Sequence, residues 1–168
     1  NLVDGQGAPA LKNAEALEAI ADPDFQTELG LFNIEINVPP SRIDGTGLET
    51  LEKSLRDDLN AAQSKAAGVD THLVMIGILP TLLDGHFSRE AISANPRYHL
   101  LSEQILAARG EDIEIVIDGV DRLDTTADTI IPEAACTSTQ LHLQVEPDDF
   151  APTWNAAQAI AAVQVAVG

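Results

Sequence analysis

The feature that most constrains this chain is a strand pattern that ends abruptly at two prolines. Apolar and polar residues alternate from Leu31 to Val38, and Pro39-Pro40 follow directly. A period of two is typical of a half-buried strand, and two prolines cannot continue its backbone ladder. The pattern predicts an apolar face of Phe32, Ile34, Ile36 and Val38 and a polar face of Asn33, Glu35 and Asn37.

Helix and strand patterns follow one another irregularly along the rest of the chain. Leucines at 48, 51, 55 and 59 predict a helix from Thr46 or Gly47 to about Gly68. Pro96 predicts the first turn of a second helix, which the pair Arg109-Gly110 closes. Further predictions are a short helix over 14–21 with Asn13 as its N-cap, strands over 71–79, 113–117 and 136–146, a hairpin or surface loop over 118–128, and a buried, alanine-rich helix over 151–168. This mixture favours an α+β fold, with a mainly antiparallel sheet and helices packed on one face.

The charge of the chain excludes several classes of partner. The 168 residues include 27 acidic and 9 basic ones, for a net charge of −18. Such a charge repels nucleic acid and anionic membranes, so neither is expected as a partner. A phosphorylated ligand would need a divalent metal ion or a local arginine to offset the repulsion. Cys136 is the single cysteine and no secretory signal is visible, so a cytoplasmic location is expected.

A second polar face lies in the predicted strand over 136–146. Thr139, Leu141, Leu143 and Val145 would face one way, and Gln140, His142 and Gln144 the other. One interpretation is the ordinary solvated face of an antiparallel sheet. The other is a polar cradle, because amide, carboxylate and imidazole groups hydrogen-bond directionally and bind cations. The cradle requires this strand and the strand of Glu35 to share a concave face.

Three motifs, in order along the chain, resemble those of carboxylate–amine ligases related to glutamate–cysteine ligase. Residues 28–40 (E-L-G-L-F-N-I-E-I-N-V-P-P) resemble that family's strand E-L-x-x-x-x-x-E-I-N-x-P-P. Asn95-Pro96-Arg97-Tyr98 is similar to the family's P-R-Y helix start. Residues 135–145 (A-C-T-S-T-Q-L-H-L-Q-V) resemble its late strand, and the helix that begins with Trp154-Asn155 also fits.

The resemblance implies a fold similar to the catalytic core of glutamine synthetase, an antiparallel sheet curved into a funnel. In that family ATP phosphorylates a glutamate carboxylate, and an amine such as that of cysteine displaces the phosphate, as in glutathione biosynthesis. Mg²⁺ or Mn²⁺ holds the nucleotide phosphates and stabilises the developing charge. An acidic protein can therefore bind ATP if the metal ions carry the positive charge.

The resemblance also assigns roles to individual residues. Glu35 is the expected metal ligand and catalytic carboxylate, because it is the one ionised oxygen donor of its strand face. Arg97, the second expected catalytic residue, offers a bidentate fork to phosphate or carboxylate. Gln140 and His142 would contact metal, nucleotide phosphate or substrate. Asn37 and Gln144 complete the set of expected binding residues, and they would orient these ligands.

Two departures from the family pattern limit the expected activity. The family's first strand carries a G-x-E-x-E run of acidic metal ligands, which this chain lacks, and the family's later segments have no counterpart here. We therefore expect residues 1–168 to be a single domain, an internal fragment of a longer ligase domain, with little activity alone. The alternative is a non-catalytic module that keeps the fold to bind an amino acid or nucleotide or to assemble with a partner. Self-association through open sheet edges or the apolar helix is a further expectation.

Overall fold

The structure is a computed structural model that describes residues 1–167, arranged in two compact units. The first comprises Asn1–Thr137, and the second begins at Ser138. Helices and short antiparallel strand pairs are mixed, which confirms the α+β class. That residues 1–168 form a single domain stays a prediction.

The first unit contains six strands and four α-helices. The strands are β1 (Leu2–Val3), β2 (Phe25–Thr27), β3 (Ile34–Ile36), β4 (His72–Leu73), β5 (Ile113–Asp118) and β6 (Arg122–Ala127). The helices are α1 (Asn13–Ile20), α2 (Gly47–Ala66), α3 (Pro96–Arg109) and α4 (Ile131–Ala135). Strands pair antiparallel as β1–β4, β2–β3 and β5–β6, so the described residues form three two-stranded sheets rather than one continuous sheet.

Three groups of buried side chains hold these elements together, the smallest of which consists of Leu2, Ala10 and Ala16. Ile20 of α1 and Phe25 of β2 pack with Ala62 and Ala66 of α2, which fixes the long helix against the β2–β3 hairpin. A second group packs the segment before β3 against α4 and the residues before α3, and consists of Leu29, Phe32, Ala91, Ile92, Ile130, Ile131 and Ala134. The small alanines of α2 allow its backbone to approach α1 closely.

Local helix signals predict α2 and α3 well. The leucine spacing is matched by α2, whose exposed side carries the (i, i+4) ion pairs Lys53–Asp57 and Glu52–Arg56. The carboxylate of Asp57 raises the pKa of the Lys53 ammonium by accepting its hydrogen bond. In α3, the Asn95 side chain accepts a hydrogen bond from the Arg97 N–H, and Gly110 ends the helix with a positive φ of 73°.

Two of the strands predicted in the first unit are shorter than expected. The alternation over 31–38 forms a strand only at Ile34–Ile36, because Gly30 to Asn33 make a turn closed by the Asn33 N–H and the Gly30 carbonyl. The apolar run over 71–79 pairs only at His72–Leu73, and Met75, Ile76 and Ile78 are exposed. Apolar patterning indicates which residues suit a strand, but pairing needs a partner of matching length.

The second unit does not contain the predicted strand over 136–146. Residues 138–146 have no regular secondary structure, and they lead through a 3-10 turn (Pro147–Asp149) into α5 (Phe150–Val167). The prediction of a buried helix is also wrong for the described residues of α5, none of which is buried; residue 168 lies outside the described range. Trp154 of this helix is 56% exposed and stacks on Phe150, with ring centroids 6.0 Å apart.

No helix within the described residues is long and apolar enough to cross a membrane.

Candidate functional site

Glu35 and Asn37 lie on the exposed face of the β2–β3 hairpin. Glu35 is opposite Gln26 in the strand register, and its neighbours Ile34 and Ile36 pack towards the α2 core. The Asn37 backbone N–H donates to the Asp24 carbonyl at 2.8 Å, which continues the hairpin beyond β3. Both side chains are exposed, so the predicted common face of Glu35 and Asn37 is confirmed.

Asn33, the third residue predicted on that face, is buried instead. Its side chain is 1% exposed, and its Nδ2 donates to the Asn1 Oδ1 at 3.0 Å. Its Oδ1 has no hydrogen-bond partner among the described residues and lies against Gly30, where a Cβ atom would approach it to 2.7 Å. The turn at 30–33 rotates Asn33 out of the strand pleat, which is why the period-2 prediction fails there.

Arg97 extends into solvent from the first turn of α3. The Asn95 cap fixes its backbone, and its side chain is exposed. Tyr98, predicted to pack, is half-buried against the Leu29 cluster, and its hydroxyl donates to the Thr27 carbonyl at 2.9 Å. The helix start that carries Arg97 is therefore attached to β2, the partner strand of β3.

Backbone hydrogen bonds also join the first ligase-like motif to the segment that precedes the second. The Leu31 N–H donates to the Ala91 carbonyl at 2.8 Å, and the Ser93 N–H donates to the Leu29 carbonyl at 2.9 Å. Gly30 and Ile92 form an isolated antiparallel bridge between the same segments. Residues 28–33, which lead into the Glu35 strand, thus lie alongside residues 91–93, which lead into the Arg97 helix.

A buried polar pair supports this junction, and sequence reasoning missed it. Asn13 Nδ2 donates to Ser93 Oγ at 2.6 Å, and Ser93 Oγ donates to the Glu28 carbonyl. Asn13 and Ser93 are 1% and 0% exposed. The prediction that Asn13 caps α1 is wrong, because Asn13 lies inside the helix and its side chain makes no cap bond. An asparagine at a helix start looks like a cap in sequence, and its contact 80 residues away has no local signal.

Gln140, His142 and Gln144 lie in the second unit, on the segment that precedes its 3-10 turn. All three side chains are exposed, and His142 Nε2 lies 3.4 Å from Gln140 Oε1. Leu141 and Leu143, predicted on the opposite face of the strand, are 74% and 61% exposed. The structure thus brings Gln140 close to His142, whereas the predicted strand that would align all three with a neighbouring strand is absent.

The described residues do not form a complete metal site. No three His, Cys, Asp or Glu side chains within residues 1–167 are grouped so that they could share an ion. Mg²⁺ in ATP-dependent enzymes is commonly held by one or two carboxylates together with substrate phosphates and waters. The exposed Glu35 carboxylate fits one such ligand position, but it does not complete the coordination of an ion.

A small groove lies where the chain leaves the Glu35 hairpin. It encloses about 200 Å³ between residues 38–41 and the first turns of α2, at Thr50, Leu51 and Ser54. Pockets for drug-sized ligands usually enclose roughly 300–1,000 Å³. This groove is therefore too small to enclose a whole nucleotide.

Cys136, the single cysteine, is exposed at the end of α4. Its neighbours Ala134 and Ala135 are the buried residues of that helix. The two alanines fill the core-facing positions, so the helix ends before Cys136 can reach the interior.

Comparison of the chain with protein-family models gives no match, and comparisons with curated proteins and with solved structures give none either.

Proposed function

We propose that this chain forms part of an ATP-dependent ligase that joins a glutamate carboxylate to an amine. The observation that supports the proposal is a hydrogen-bonded junction between the first ligase-like motif and the segment that precedes the second. Leu29 and Leu31 of the segment leading into Glu35 are hydrogen-bonded to Ser93 and Ala91 of the segment leading into Arg97. The first motif thus lies beside the chain that leads into the second, and each motif presents a charged side chain to solvent.

The reaction would proceed in two steps. The substrate carboxylate attacks the γ-phosphorus of ATP, which forms an acyl phosphate and releases ADP. The nitrogen lone pair of the neutral amine then attacks the acyl carbon, inorganic phosphate leaves as the amide bond forms, and the nitrogen releases one proton to the departing phosphate or to water. Bound Mg²⁺ or Mn²⁺ would offset the negative charge of the phosphates. Cysteine is the amine that the family resemblance favours.

Each candidate residue has a distinct role in this proposal. The Glu35 carboxylate would hold the metal ion of the nucleotide, and Asn37, on the same face, would orient it or a substrate. The Arg97 guanidinium would bind a phosphate or carboxylate through two parallel hydrogen bonds. In the second unit, Gln140 and His142 would contact metal or phosphate, and Gln144 would bind the substrate.

The proposed curved, glutamine synthetase-like sheet would have to be completed by residues outside this chain. The three two-stranded sheets are compatible with such a fold, because each pair is antiparallel. An incomplete sheet and an incomplete ligand set both lead to the expectation that this chain alone has little or no ligase activity.

A non-catalytic binding or assembly module is the second candidate. The observation that favours it is the lack of a grouped metal-ligand set within residues 1–167. A titration with Mn²⁺, followed by electron paramagnetic resonance, separates the two functions in the full-length protein. Weaker Mn²⁺ binding in Glu35→Gln, but not in the exposed control Glu18→Gln, supports the ligase, whereas no Mn²⁺ binding by the wild type supports the module.

A further inference from the structure

The hairpin of β5 and β6 leaves strand edges without a partner in the described part of the chain. The two strands pair with each other over six residue pairs, from Ile113–Ala127 to Asp118–Arg122, and form a sheet of their own. A two-stranded hairpin is at best marginally stable in water. The unpaired backbone groups of an edge strand can accept another strand.

The two faces of β5 differ sharply in chemistry. Ile113, Ile115 and Ile117 alternate with Glu114, Val116 and Asp118. Ile117 is 56% exposed, and Leu123, opposite it on β6, is 46% exposed. The outer half of the hairpin thus presents apolar side chains on one face, whereas the other face of β5 carries two carboxylates with the half-exposed Val116 between them.

Charge indicates which partner fits this edge. Residues 111–128 contain seven carboxylates and one arginine, a net charge of −6 in 18 residues, against −18 for all 168. The arginine, Arg122, pairs with Asp124 at 2.8 Å. A second copy of the chain is a poor occupant, because two β5 strands side by side would bring Glu114 and Asp118 close to like charges.

We propose that the free edge of β5 binds an extended segment of a basic partner protein. Apolar residues of that segment would alternate with lysine or arginine. Its backbone would add a strand to the hairpin, its cations would lie beside Glu114 and Asp118, and its apolar side chains would extend the face of Ile115 and Ile117. The inference is independent of the ligase proposal, because it uses none of the candidate site residues.

The test uses the whole chain and a short fluorescent peptide of alternating lysine and valine. We expect saturable binding by fluorescence anisotropy, about tenfold weaker in Glu114→Lys/Asp118→Lys. The control Asp148→Lys/Asp149→Lys makes the same change of charge in the second unit and should keep wild-type affinity. Binding should also slow amide exchange in residues 113–118. Circular dichroism establishes that each variant is folded.

Three results would overturn the proposal. Equal weakening in both double variants would mean that the peptide responds only to overall charge. Binding without slower amide exchange in β5 would mean that no strand is added. No binding by the wild-type chain would mean that the carboxylates protect the edge from pairing rather than attract a partner.

Discussion

The Tyr98 hydroxyl donates a 2.9 Å hydrogen bond to the Thr27 carbonyl oxygen, and so connects α3 to β2. Because β2 pairs with β3, this bond links the helix that carries Arg97 to the strand that carries Glu35. Tyr98→Phe keeps the ring in its apolar contact but removes the donor. We expect a loss of about 1 kcal/mol in the free energy of unfolding, measured by urea denaturation. Unchanged stability would show that water replaces the bond without cost.

Gly30 is required because a side chain there would collide with Asn33. A Cβ atom at Gly30 would lie 2.7 Å from Asn33 Oδ1 and 3.3 Å from the Ala134 Cβ. We expect Gly30→Ala to destabilise the chain by about 1–3 kcal/mol in thermal or urea unfolding. Gly85→Ala is the matched control, since a Cβ atom at Gly85 meets nothing within 4 Å. Equal effects of the two substitutions would contradict the steric explanation.

The buried hydroxyl of Ser93 satisfies groups from two other segments. Ser93→Ala leaves the Glu28 carbonyl without that donor and removes the closest acceptor of Asn13 Nδ2. A loss of about 1–3 kcal/mol in the free energy of unfolding is expected for such buried groups. Ser54→Ala removes an exposed hydroxyl from α2 and should change stability by less than about 0.5 kcal/mol. If both variants matched the wild type, the buried pair would not be a stabilising contact.

Protonation of the Asp4 carboxylate should lower the free energy of unfolding in acid. Backbone N–H groups of Gln6 and then Ala8 donate to the Asp4 carboxylate, and these bonds lower its pKa below the ordinary value of 3.8. A carboxylate whose pKa is lower in the folded state stabilises the fold at pH values above its ordinary pKa. This stabilisation is lost as the pH falls through the folded-state pKa. Urea unfolding should show wild type more stable than Asp4→Ala at neutral pH, with the difference shrinking below about pH 4. A difference that does not change with pH would contradict this.

Sequence patterns predicted the elements that depend on local signals. The leucine spacing of α2 and the Pro96 and Gly110 boundaries of α3 act within a few residues, and the structure confirms both helices. The alternation at 113–117 was likewise sufficient for β5, and the polar stretch after it includes the returning strand β6.

The predictions that were wrong concern residues whose position depends on the presence or absence of contacts with residues distant in sequence. Asn33 fits the polar face by its spacing, but the turn at Gly30 places it in the interior beside Asn1. Asn13 looks like a helix cap, yet its partner is Ser93. The segment over 136–146 has strand alternation, but alternation alone supplies no neighbouring strand to satisfy its backbone groups.

In the candidate site as well, the sequence predicts the features that depend on local spacing and misses those that depend on distant contacts. The shared exposure of Glu35 and Asn37 follows from the period of two and is confirmed. The attachment of the Arg97 helix to the Glu35 hairpin depends on Tyr98, Ser93 and Leu31, which no local pattern indicates. The roles of all these residues, and those of Gln140, His142 and Gln144, stay predictions.

The most direct test of the proposed function is phosphate release from ATP by the full-length protein with Mg²⁺, glutamate and a panel of amines that includes cysteine. Release should require both glutamate and one amine, and Glu35→Ala should lower it by at least about 100-fold while Glu18→Ala leaves it unchanged. Release that is absent with every amine, or that is the same in Glu35→Ala as in the wild type, would contradict the ligase proposal.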